Sequence, residues 1–401
     1  MHGGQGNAAG GRAKPVPRRL LAWPAPRPSD QRGHRCVTGC GQCPSRWMTG
    51  MAELKPSPLS PAALLRHRLA WPVITLLLLL AINAAFNPGF LHIEWRDGHF
   101  YGSLIDILNR AAPLVLVSLG MTLVIATRGI DISVGATVAI AAAVAAWLIG
   151  GSVSANESRF PLPVAILGAL GVALLCGVWN GVLVARVGMQ PIIATLILMV
   201  AGRGIAQLIT DGQIITIYYT PYFFIGGGYL AGLPFSLFVA AAVFAVLHLA
   251  ITRTALGLFI QAVGVNPTAA RVAGVQAGRL IMAAYVFCGA CAGIAGLLIS
   301  SNVKSADGNN AGQLMELDAI LAVTLGGTAL TGGRFSLAGS VIGALIIQTL
   351  TYAIYSLGVP PEVNLVVKAV VVFVVMLLQS PEFRAQVGLL ARRPAAGRAL
   401  P

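Results

Sequence analysis

The side chains able to do chemistry are sparse, and many of them sit where polarity is costly. Asn180, Gln190, Thr195, Arg203, Gln207, Asp318, Gln348, Asn364 and Lys368 all fall inside long apolar stretches. Groups at such depth must face a cavity, a backbone carbonyl or a partner side chain. Two uses fit them. Asn, Gln and Thr serve hydrogen bonding between packed helices; the same donors and acceptors could line a polar path for a hydroxyl-rich solute, which needs no proton-carrying carboxylate. The candidate path residues are Asn180, Gln190, Thr195, Arg203, Asp318, Gln348, Asn364 and Lys368.

No enzyme constellation accompanies them. A Walker-type phosphate loop needs Gly-x-x-x-x-Gly-Lys-Ser/Thr. Of the four lysines, Lys14 and Lys55 precede proline, Lys368 precedes Ala369, and Lys304 follows Val303. The chain is therefore not expected to hydrolyse ATP by itself. It has no His-Glu-x-x-His motif and no Gly-x-Ser-x-Gly elbow. Cys36, Cys40 and Cys43, with His34 nearby, have spacings a zinc site could use, but stand among Gly and Pro without a second cluster. No metal site and no bound cofactor are expected. Cys176, Cys288 and Cys291 lie in apolar runs and read as small hydrophobes.

The elements that must position these residues are membrane helices. The 401 residues are 56% hydrophobic and 10% charged, against roughly 45–50% and 25% for soluble domains. That excludes an ordinary soluble enzyme and a disordered chain. Ten apolar runs approach the roughly 20 residues that a bilayer core demands: 69–86, 111–127, 132–150, 162–185, 191–210, 231–251, 280–301, 316–331, 335–357 and 364–380. The expected fold is an all-α polytopic bundle. The eighth run begins with Glu316 and Asp318 and contains Gly326 and Gly327, the pattern of a short or broken helix lining a cavity.

Charge sets the orientation. The net charge is +14, and half of it lies in residues 1–50, which carry eight Lys/Arg and one acid, Asp30. That stretch, rich in Gly, Pro and Arg, reads as a disordered basic extension, with Met51 a better start. Alternating ten spans from a cytoplasmic N-terminus puts thirteen of the remaining nineteen basic residues inside, among them Arg128, Arg186, Arg253, Arg271, Arg279 and Arg334. Both termini are then cytoplasmic, with residues 381–401 a basic tail. The basic excess thus reflects membrane topology, not nucleic-acid binding.

The longest inward connection, 252–279, is punctuated like a small helix. Asn266 can cap it, Pro267 suits its first position, Thr268 to Ala273 can propagate it, and Gly274 can end it left-handed. An alanine face with one arginine, Arg271, suits contact with another protein; a helix resting on headgroups is the alternative. Two turns, Gly129–Gly135 and Gly333–Gly339, share a glycine spacing that reads as a trace of duplication.

Gly120–Gly135 (GMTLVIATRGIDISVG), Trp179-Asn180-Gly181, Gln190–Gly204, Glu316–Val323, Thr254–Gly257, Ala262–Gly264 and Ala269–Gly274 together resemble the permease family of bacterial ribose-type sugar ABC importers. The resemblance spans about 60–380. The stretches Ser103–Pro113, Ala201–Thr210, Asp307–Gly312 and Val367–Val372 resemble the galactofuranose-importing branch most. Arg128 and Ile132 depart from it, standing where relatives more often show Gly and Leu. The resemblance implies a multi-pass inner-membrane subunit working with a second permease chain, itself or a paralogue, a cytoplasmic ABC ATPase that binds ATP-Mg, and a periplasmic sugar-binding protein. It also maps an ATPase-coupling loop onto Gly257, Gly264, Asn266, Pro267, Ala270, Arg271 and Gly274. An ion-coupled secondary transporter of a small polar solute is the competing class, with Asp318 as its main carboxylate.

Overall fold

The computed structural model describes residues 69–96, 98–150, 157–358 and 360–379. The expected extension over 1–50, its Cys36, Cys40 and Cys43, and the tail over 381–401 lie outside those residues.

Each apolar run becomes a helix. They are α1 (Ala70–Phe86), α2 (Ser103–Ala126), α3 (Val134–Ile149), α4 (Leu162–Val182), α5 (Pro191–Ile209), α7 (Phe235–Arg253), α10 (Ala277–Val303), α11 (Met315–Leu325), α12 (Leu337–Ser356) and α13 (Pro361–Gln379). A π-helical turn, Leu183–Val187, extends α4 and stops at Gly188, whose φ of +81° a side chain would resist. Six of these helices are long and apolar enough to cross a bilayer, while α1 and α3 are apolar but shorter. At 11 residues and 1.5 Å per residue, α11 covers about half of a 30 Å core, as its acids and glycines foreshadow.

Burial sorts the bundle into layers. In their most apolar windows α2 is 83% buried, whereas α7 is 17% and α4 together with its π turn 22% buried. Thus α2, α3 and α10 form the centre, and α4, α5 and α7 turn apolar side chains such as Leu167, Leu175, Val200, Leu208 and Val246 outward, as lipid-facing helices do. Small residues let the central helices touch: Gly120 abuts the backbone of Cys288, and Gly296 abuts the Val138 carbonyl. Cys176, Cys288 and Cys291 are buried free thiols in this packing.

The two ends of the bundle differ. One carries α6 (Thr220–Gly227) and three short antiparallel pairs: β1 (Glu94–Arg96) with β2 (His99–Tyr101), β3 (Ile214–Thr216) with β6 (Ser305–Asp307), and β4 (Tyr229–Leu230) with β5 (Leu233–Pro234). The β3–β6 pairing, with Ile215 opposite Ala306, ties the α5–α6 connection to the one after α10. The other end carries α8 (Leu256–Val265) and α9 (Pro267–Val272). The sequence suggests one helix in the 252–279 connection. The structure holds two, because Leu256–Val265 is apolar enough to lie against the bundle through buried Gly257, Ile260, Val263 and Gly264.

Candidate functional site

At the α9 end, Thr254 breaks from α7 and Gly257 turns the chain into α8, packing against the Ile251 carbonyl where a Cβ would have no room. Near its far end α8 meets two other connectors at backbone distance. A Cβ on Gly264 would overlap the Ala126 carbonyl oxygen and the Gly333 amide nitrogen and lie 2.8 Å from Gly333 Cα. The Gly333 amide itself donates to the Ala126 carbonyl at 2.9 Å. The Gly333–Gly339 turn and the last residue of α2, just before the Gly129–Gly135 turn, therefore meet at one residue of α8.

From there α9 projects. Asn266 Oδ1 accepts from the Thr268 and Ala269 amides at 3.0 and 3.1 Å, and Pro267 takes the first helical position, where no amide is missed. Ala270 is buried with Val263 and Ala277, so it seats the helix. Arg271 and Val272 are exposed, and Val272 is 87% exposed. Gly274 follows with φ +85° and open space around it. On α9 the elbow thus offers one cation and one large apolar side chain, and α8 adds exposed Leu256, Leu258, Phe259 and Val265.

The other end holds a cavity of about 640 Å³ between α2, α6, α7, α10 and α12, within the roughly 300–1,000 Å³ of small-molecule sites. Its polar lining includes Asp106, Asn109, Arg110, Asn302, Gln348 and Thr351. Asp106 and Arg110 pair one helical turn apart, with Nε 3.1 and 3.0 Å from the two carboxylate oxygens. Asn109 Oδ1 accepts from Ser236 Oγ, and Asn302 Nδ2 donates to the Gly226 carbonyl at 3.2 Å. A second hollow of about 210 Å³ shares Arg110, Pro113, Ile299 and Gln348 with the first and reaches Asp318. There Lys368 Nζ on α13 contacts Asp318 Oδ2 on α11 at 2.5 Å.

The eight candidate path residues do not share one lumen. Asn180 donates to Ser133 Oγ at 2.7 Å and, more weakly, to Asp131 Oδ1 at 3.3 Å, and Thr195 donates to the Pro191 carbonyl at 3.0 Å, so both are buried in packing around the α2–α3 connector. Gln190 is exposed at the start of α5 with no cap bond. Arg203 donates to the Ala311 carbonyl at 2.6 Å. Gln348 and Asp318 line the hollows, and Lys368 pairs with Asp318. The side chain of Asn364 lies outside the described residues.

Sequence reasoning missed Asp106, Asn109, Arg110 and Asn302. The Asp106–Arg110 spacing of four was the available signal, but α2 starts eight residues before its apolar run and was expected to begin after them. Two further acids were also missed. Asp131 is buried and accepts from the Ser133 amide and hydroxyl at 3.0 and 2.6 Å. Glu316, 3% exposed, presses Oε2 against Gly135 without a hydrogen-bond partner. Beyond the spans, burial raises the Asp307 carboxyl, but bonds from the Asn310 side chain and the Asn309 and Asn310 amides, with the Arg203 charge, bring it below its ordinary value. No cluster of His, Cys, Asp and Glu suited to a metal occurs among the described residues.

The bundle thus carries a helix-bearing elbow at one end and a polar cavity at the other. Residues 103–376 match the family described as branched-chain amino acid transport system / permease component. The chain belongs to this family. It is 48% identical to the galactofuranose transporter permease protein YtfT of Escherichia coli over 335 residues, 82% of this chain and 96% of that protein. It is 38% identical to the fructose import permease protein FruF of Bifidobacterium longum, covering 80% of this chain and 89% of that one. Against the ribose import permease protein RbsC of Escherichia coli the figures are 35%, 77% and 92%. No solved structure matches. The chain is thus a transport subunit of the inner membrane rather than an enzyme, and the relatives support the ATP-driven class over the ion-coupled one.

Proposed function

We propose that this chain forms the translocation path of a binding-protein-dependent importer for a neutral sugar, galactofuranose or a close analogue. The family description names amino acids, whereas the three relatives carry sugar names. The cavity chemistry favours the sugar. Its two charges, Asp106 and Arg110, neutralise each other, and the rest of its polar lining is amide and hydroxyl. Such a surface exchanges hydrogen bonds with hydroxyl groups and offers no unpaired charge to a zwitterion.

The Lys/Arg distribution supports placing the α9 end in the cytoplasm, where a separate ATPase would press on Arg271 and Val272. The cavity end then faces the binding protein, and a second permease chain stands beside this one. ATP-driven closure of the ATPase pair would move the elbow, and with it the connectors at Ala126 and Gly333, rocking the central helices between inward-open and outward-open states. Asp318 offers little to ion coupling, because Lys368 already holds it.

The test is uptake by the assembled importer in proteoliposomes with ATP inside or outside and labelled galactofuranose or leucine. Galactofuranose uptake that requires ATP on the α9 side, and falls in Asn109→Ala and Gln348→Ala without loss of protein, is the expected result. Leucine uptake, or uptake without ATP, would overturn the reading.

A further inference from the structure

The end of α2 is closed in an unusual way. The Gly129 amide bonds to the Val124 carbonyl and the Arg128 amide to the Ile125 carbonyl, both at 2.9 Å. That is the Schellman pattern, in which the residue after the cap adopts a left-handed conformation and is usually glycine. Here that residue is Arg128, with φ +67°, although glycine follows it at 129. An L side chain in this conformation costs stability, and such outliers persist where the surroundings hold them for a use.

The side chain shows the use. Arg128 Nη2 donates to the carbonyl of Val265, the last residue of α8 and one of the terminal carbonyls that a helix cannot satisfy internally. A cation at a helix C-terminus is also favoured by its dipole. Gly332, at φ +83°, lies flush against the Arg128 stem, where a Cβ would meet Arg128 Cγ at 2.5 Å. One side chain thereby joins the end of α8, the α2–α3 connector and the α11–α12 connector, at the point where Asn266 begins α9.

We propose that Arg128 is a positioning residue for energy coupling, a latch that makes the α2–α3 and α11–α12 connectors follow α8 when the ATPase displaces α9. Gly264 supplies contact in compression, since its backbone meets Ala126 and Gly333 face to face. Contact alone cannot pull, so the return stroke needs a bond that holds in tension, and the Arg128–Val265 bond provides it. This rests on reading α8 and α9 as the ATPase contact.

The test compares Arg128→Gly, Arg128→Asn and Arg128→Lys in the full importer, reconstituted with its ATPase and a galactofuranose-loaded binding protein. Three readouts are taken: ATPase co-purification, stimulation of ATP hydrolysis with uptake, and thermal midpoint. Glycine and asparagine tolerate φ > 0, so their midpoints should equal or exceed wild type, with co-purification intact. Stimulation and uptake should nonetheless fall by roughly tenfold, the factor for losing one hydrogen bond to a charged group. Lysine, which keeps a charged donor on a long stem, should restore most of both.

Stimulation at wild-type level in Arg128→Gly would overturn the latch. A joint fall of midpoint and stimulation in all three variants would also overturn it, by making the residue structural. Wild type failing to co-purify with any ATPase would remove the coupling reading itself, and the latch with it.

Discussion

Replacing Gly264 with alanine tests the elbow with a single methyl group. The new Cβ would stand 2.8 Å from Gly333 Cα and overlap the Ala126 carbonyl oxygen. Ordinary contact begins near 3.4 Å, so clearing Gly333 Cα alone takes a 0.6 Å retreat of α8, and the closer Gly333 amide nitrogen and Ala126 oxygen demand more. None of these partners is the mobile tip of a side chain. Overpacking of this kind costs about 1–3 kcal/mol, while exchanging glycine for alanine within a helix returns about 0.5–1 kcal/mol. The net loss, about 0–2.5 kcal/mol, is small enough for the protein to reach the membrane. The close junction between α8 and the two connectors would nevertheless be open. Expected in proteoliposomes are near-normal protein levels, ATPase co-purification, and loss of both sugar uptake and binding-protein-stimulated hydrolysis. Uptake within twofold of wild type would refute the idea that backbone contact at Gly264 carries motion.

Three further outcomes follow from the same geometry. Asn266→Ala removes the acceptor for two amides at the start of α9 and should cost about 1 kcal/mol of helix stability, read as faster hydrogen exchange at Thr268 and Ala269 and weaker ATPase co-purification. Lys368→Met leaves Asp318 without its cation at a site only 13% and 25% exposed on the two side chains. It should cost about 2–3 kcal/mol, somewhat under the value for a fully buried pair, and adding Asp318→Asn should recover part of the loss in thermal midpoint. The Asp307 carboxyl, depressed below 3.8, stabilises its turn above that pH and loses the contribution as pH falls through the folded-state value. The protection factor of the Asn309 amide, its exchange rate relative to the intrinsic rate at the same pH, should fall on acidification in wild type and stay constant in Asp307→Asn.

Much of the helical frame was legible because membrane helices advertise themselves by apolar length. Where a run was apolar over most of its length, as in Leu162–Val182 or Pro191–Ile209, the helix limits match the run closely. The start of α2 was hidden because Ser103–Arg110 mixes polar and apolar residues, and a helix can continue past the bilayer core at no hydropathic signal. Asn266, Pro267 and Gly274 were readable as helix punctuation because capping is local chemistry. The convergence of Gly264, Ala126 and Gly333 was not, since it depends on residues far apart in sequence meeting at backbone distance. The same limit explains the scattered path residues: depth in the membrane could be counted from sequence, but not whether Asn180 faces Ser133 or Gln348 faces a cavity. Arg128 was visible only as a departure from the resembling family, and its left-handed backbone gives that departure a physical meaning.

Coupling of sugar movement to an ATPase held at the α8–α9 elbow is the proposal on which the rest depends. The most direct measurement is purification from native membranes in mild detergent, followed by ATPase assays with and without a galactofuranose-loaded periplasmic binding protein. A complex containing a P-loop ATPase, stimulated by the loaded protein and not by the empty one, is the predicted result. A chain that purifies alone and transports sugar in vesicles without ATP would contradict the account.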